Sequence, residues 1–121
     1  MKTKKIAAIL VIMAVFAGSA FSQDYVLKFK IENNTGETLN AVYVTQADAN
    51  HWGEDIIPGD VFTSGSYVDV TIPVENSTIC MHDIKVTDFQ NNSVIFENID
   101  FCELRKLSFF LEDGDVKYIV E

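Results

Sequence analysis

Between Ala47 and Asp60 the chain gathers Asp48, Asn50, His51, Trp52, Glu54, Asp55 and Asp60 within 14 residues that carry no strand pattern. Two kinds of chemistry suit such a set. One is oxygen ligation of a hard cation. Asp48, Asn50 and Gly53 stand at the first, third and sixth positions of a calcium loop of EF-hand type, where oxygen ligands and a turn-making glycine belong. The pattern then fails: Trp52 takes a ligand position, and Gly59 stands where the terminal bidentate Glu is required. A looser cage built from Asp48, Glu54, Asp55 and Asp60 is what remains. The other chemistry is recognition. His51, Trp52, Glu54 and Asp55 set an aromatic anchor among acids, which suits a partner with a basic, partly apolar patch. Long loops on rigid β-domains commonly carry binding residues.

Catalytic chemistry finds no such footing. His51 and His82 are the two histidines of the chain. His82 shares a strand face with Cys80 and Ile84 and reads as a packed residue, while Asp83 beside it points to the opposite face. Ser64-Gly65-Ser66 lacks the G-x-S-x-G elbow and has no defined base partner. No Gly-rich phosphate loop and no catalytic carboxylate pair stands out from the 18 acids. The expectation is a non-enzymatic chain with no cofactor and no tight metal site.

Cysteine and the N-terminus bear on location. Lys2, Lys4 and Lys5 precede an apolar run from Ile6 to Phe16, and Gly18-Ser19-Ala20-Phe21-Ser22 supplies small residues for cleavage. This three-part pattern predicts a secretory signal over residues 1–22, cut after Ser22 or after Ala20. The run is shorter than the roughly 18 residues of a membrane span. The first cysteine is Cys80, so none stands at the cut for lipid attachment. Cys80 and Cys102 in an exported chain predict one disulfide. It closes a loop of about 23 residues and contributes roughly 3 kcal/mol.

Removing the leader takes three of nine basic residues and none of the 18 acidic ones, leaving six against 18, a balance of −12. Nucleic acid and anionic lipid bind through Lys and Arg, so neither suits this chain. A basic protein does. Asn33, Asn76 and Asn91 begin N-x-S/T sequons, which matter only where the export route glycosylates; the short Lys-rich leader has a bacterial look.

The elements that would position these residues read as strands. Tyr25, Leu27, Phe29 and Ile31 alternate with polar or outward neighbours before the turn residues Asn33-Asn34-Thr35-Gly36. Leu39 to Gln46 follows, then the long loop, then Val68, Val70 and Ile72, ended near Pro73. Ile79–Phe89 and Val94–Phe101 are expected to form a hairpin with a three-residue turn, placing Val86 opposite Phe96 and Cys80 opposite Cys102. Asp113-Gly114 predicts a two-residue hairpin with Leu111 opposite Val116, Phe109 opposite Tyr118 and Leu107 opposite Val120. About seven short strands with one disulfide, all in residues 23–121, predict an all-β, antiparallel β-sandwich forming a single domain.

The series Asn34-Thr35-Gly36, Val42-Tyr43-Val44, Trp52-Gly53-Glu54-Asp55, Cys80-Met81-His82-Asp83-Ile84-Lys85-Val86 and Cys102-Glu103 resembles a family of small secreted bacterial β-domains of uncharacterised function. Its members sometimes carry an argininosuccinate lyase name. The similarity spans roughly Leu27 to Leu107. It implies a compact β-domain with a disulfide and brings no catalytic residues. The lyase name does not suit a chain this short and β-rich, since that enzyme is a large helical tetramer. Asn91-Asn92 departs from the Asp-Gly-type turn such domains often have. Taken together, the residues lead to an exported, periplasmic or secreted β-sandwich that binds an extracytoplasmic partner. The alternative is a calcium- or small-ligand-binding domain that uses the acidic loop.

Overall fold

The computed structural model describes residues 25–121. The secretory signal expected over residues 1–22, with its cleavage site, lies outside the described residues. Seven strands follow in order: β1 (Tyr25–Asn34), β2 (Leu39–Gln46), β3 (Tyr67–Val74), β4 (Met81–Asp88), β5 (Ser93–Asp100), β6 (Lys106–Glu112) and β7 (Asp115–Val120). One sheet has the order β3-β1-β6-β7, the other β2-β4-β5. The chain is an all-β sandwich, as the alternation predicted.

Period two explains which faces meet. Phe29 and Ile31 of β1 point inward with Val70 of β3 and Leu107 and Phe109 of β6. Val42, Ile84, Val86 and Ile99 answer them from the other sheet. Burial of these apolar side chains is the main force holding the two layers together. Lys28, Lys30 and Glu32 fall on the outer face between them. β1 pairs antiparallel with β3 but parallel with β6, joining Ile31 to Leu107 across most of the chain's length.

The C-terminal hairpin has the expected register, with Leu107 opposite Val120, Phe109 opposite Tyr118 and Leu111 opposite Val116. The β4–β5 hairpin differs. Val86 faces Val94, and Ile84 faces Phe96. The turn is centred one residue earlier than expected: Asp88 N–H donates to Asn92 O at 3.0 Å, and Asn91 adopts a φ of 66°. An extra residue then enters β5 between the His82–Ile99 and Ile84–Phe96 pairs. Asn98 takes a φ of 58° there, and its N–H donates to Asp83 Oδ1 at 2.9 Å. This bulge recovers one residue of the offset, so Phe101 N–H donates to Cys80 O at 2.9 Å. Cys102, one place further on, still reaches Cys80, with Cα atoms 5.1 Å apart and the disulfide formed.

Candidate functional site

The loop after β2 is a bound segment, laid along the open edge of that strand. Ile56 N–H donates to Val42 O at 2.9 Å, and Leu39 and Phe62 exchange backbone bonds of 3.0 and 2.8 Å. Asp55 holds the segment there: its Oδ1 accepts from Val42 N–H at 3.0 Å and Ile57 N–H at 2.9 Å. Gly53 passes so close to β2 that an added Cβ would lie 2.6 Å from Val44 O. Asp55 is therefore occupied inside the fold, and a partner would find little of it.

The neighbours of Asp55 are placed differently. Trp52 is half-buried on the outer face of the β2-β4-β5 sheet, with Lys85 Nζ 5.2 Å from its ring centre. The same ammonium lies 5.1 Å from the Tyr43 ring, so Lys85 bridges two aromatic faces. Trp52 is neither core nor free anchor; it lies over a lysine. Asp48, His51, Glu54 and Asp60 are exposed. Asp60 approaches Asp55, and its hydrogen bond to that carboxylate, with some burial and like-charge repulsion, lifts it above the usual aspartate range.

The four carboxylates of the looser calcium cage do not converge. Among the described residues, the cluster with ligand atoms within 4.8 Å of one another is Cys80, Asp100 and Cys102. Its two sulfurs are joined to each other. Asp55 meanwhile directs one oxygen at two backbone N–H groups.

A second feature was not visible in any single stretch of sequence. Where the β4–β5 and β6–β7 hairpin tips approach each other, the sheets part and leave an open cleft of about 650 Å³. Leu39, Val86, Val94, Phe96, Leu111 and Val116 give it an apolar lining. Glu37, Asp88 and Asp115 add carboxylates, against one cation, Lys117. Asp88 is held below the usual aspartate range, chiefly by the Asn92 side chain and then by the Asn92 and Gln90 backbone N–H groups. It stays ionised. The volume lies in the range of ligand clefts, and apolar walls with a few charged groups are their usual composition. The sequence signal for it was indirect: two hairpin turns, one bearing Asp88 and the other Glu112, Asp113 and Asp115, brought together only by the fold.

No family model matches the chain, and no curated protein matches it. Among solved structures it is similar to an NMR structure of a protein from Eubacterium rectale. The TM-score is 0.58 at 14% identity, over 80% of this chain and 89% of that one. At that identity the likeness shows the fold alone.

Proposed function

We propose that the chain is a non-enzymatic, exported binding module, periplasmic or secreted, whose partner is a basic protein. The observation that carries this is the cleft between the hairpin tips, an apolar trough edged by Glu37, Asp88 and Asp115. A partly apolar, cationic segment complements it in both respects. The secretory pattern of residues 1–22 supports export, and the disulfide fits an oxidising compartment. The loop adds a second contact surface through His51, Trp52 and Glu54, with Asp55 supporting it from within.

The test is capture from the native cell envelope and secretome by the immobilised chain and by a Glu37→Lys, Asp115→Lys variant. Among the described residues neither side chain makes a hydrogen bond that the fold uses, and removing acid relieves self-repulsion, so the variant's thermal melt is expected not to fall. The expected result is a basic protein retained by the wild-type chain, released by salt, and depleted at least about tenfold on the variant. Equal capture by both would place the function elsewhere. Calorimetry with calcium separates the alternative: nothing tighter than about millimolar is expected, because the loop lacks a converged oxygen set. A micromolar constant lost in Asp48→Ala would reverse the preference.

A further inference from the structure

Each sheet edge in this sandwich has a different exposure to pairing. β2 is covered by Asp55–Phe62. β5 is broken by its bulge at Asn98, and β3 contains Pro73, which has no N–H to offer. β7 has no bulge, no proline and, among the described residues, no covering segment. Among the described residues its guards against pairing are the charges of Asp115 and Lys117.

The turn determines which β7 groups are free. Glu112 and Asp115 close a two-residue turn, so hydrogen-bonded pairs recur at Phe110–Lys117 and Ser108–Ile119. Lys106 and Glu121 continue the series, exchanging bonds of 3.2 and 2.8 Å. The N–H and C=O groups of Val116, Tyr118 and Val120 therefore point away from β6 along the open edge. The side chains of the same three residues turn toward β5. There they line a seam with Val94 and Phe96, deepened into the large cleft at one end and a hollow of about 230 Å³ at the other. The Phe96 and Tyr118 rings meet across it at 4.7 Å. Along its length stand Glu37, Asp88 and Asp115, then Asp100, Glu103 and Glu121, with Lys117 the lining cation. Glu121 is partly answered by Lys106 at 3.3 Å.

We infer that this seam docks an extended basic segment of another protein, added as a further strand to β7. Backbone bonds to Val116, Tyr118 and Val120 supply affinity. Alternate apolar residues of the segment face Phe96 and Tyr118, and the Lys or Arg residues between them fall on the opposite face, that of Asp115 and Glu121. A second copy of this chain is the poorer occupant, since it would bring the same acids against themselves. The inference rests on the binding-module reading and adds to it the form that the partner takes.

The experiment uses a seven-residue peptide alternating lysine and valine, titrated into the disulfide-bonded chain and followed by amide shifts of β7. Two further peptides carry backbone N-methyl groups, one on the valine nitrogens and one on the lysine nitrogens. A methyl group blocks strand pairing along one side only and leaves charge unchanged. The expected result is that one methylated peptide binds like the parent and the other at least about tenfold more weakly, with the shifts centred on Val116–Val120. Equal binding of all three refutes strand addition but keeps a basic-peptide cleft. Absence of binding at millimolar peptide overturns the inference, whereas the envelope capture above still decides the module itself. Concentration-dependent dimerisation that the peptide cannot displace assigns the edge to a second copy.

Discussion

Asn33 carries the heaviest polar duty of any single side chain here. It is fully buried, and its Nδ2 donates to Phe62 O at 2.7 Å and Glu37 O at 2.8 Å. Its Oδ1 accepts from Thr35 N–H at 3.0 Å and Thr35 Oγ1 at 2.7 Å. One amide thus joins the end of β1 to the next turn and to the segment after the long loop. Asn33→Ala is expected to destabilise the fold by about 3 kcal/mol, since it leaves buried partners unpaired; urea midpoints measure this. Its burial also makes the Asn33 sequon unusable in the folded chain. His82 presents the opposite case. It stacks on Phe101 with centroids 4.5 Å apart, and Nδ1 lies 3.0 Å from Cys80 O, but Nε2 is buried without a partner among the described residues. His82→Phe keeps the stack and removes the orphaned nitrogen. Its stability should equal or exceed the parent's, whereas His82→Ala should lose about 3 kcal/mol of packing. A large loss in both variants would show that the Nδ1 contact outweighs the orphan.

At the scale of elements, the sequence was most legible where pairing is local. The β6–β7 register follows from Asp113-Gly114 and three apolar pairs. For β4–β5, alternation gave the right faces and the disulfide, but the register slid because the Asn98 bulge has no strong sequence mark. The parallel β1–β6 pairing was not legible at all, since it joins residues some 76 positions apart that share only an apolar period. The long loop was recognised as a loop, yet its work of covering the β2 edge depends on contacts invisible in one dimension. Gly53 tests that work. Its Cβ-less approach to Val44 O leaves no room for a methyl group, and the obstacle is backbone. Gly53→Ala should lift the loop, costing roughly 1–3 kcal/mol, raising Trp52 fluorescence sensitivity to quenchers and speeding amide exchange at Val42. A variant with unchanged quenching and exchange would mean the loop can shift without leaving β2.

The whole molecule is governed by its excess of acid, and its carboxylates respond to pH in opposite directions. Glu32 lies below its usual range, first through the Asn34 side chain and then through Lys106, which lies 3.6 Å away. Asp88 is also lowered, so both contribute stability above the ordinary carboxylate range and lose it as pH falls through their folded values. Asp60 is raised, so its protonated form suits the fold and its charge works against it as pH rises. Asp60→Asn should therefore raise the melting temperature at neutral pH, with the gain fading as pH falls toward about 4. Salt acts on the same charge in a second way. Self-repulsion among charges summing to −12 over residues 23–121 opposes the compact state. Raising ionic strength from about 0.01 to 0.15 M shortens the screening length from about 30 to 8 Å and should raise the melting temperature. The same change weakens attraction between the seam's carboxylates and a basic segment. Stability and partner affinity are thus expected to move in opposite directions along one salt titration, read by thermal melts and by peptide binding on the same sample. If affinity holds constant while the melting temperature climbs, the carboxylates along the seam serve solubility, and recognition is apolar.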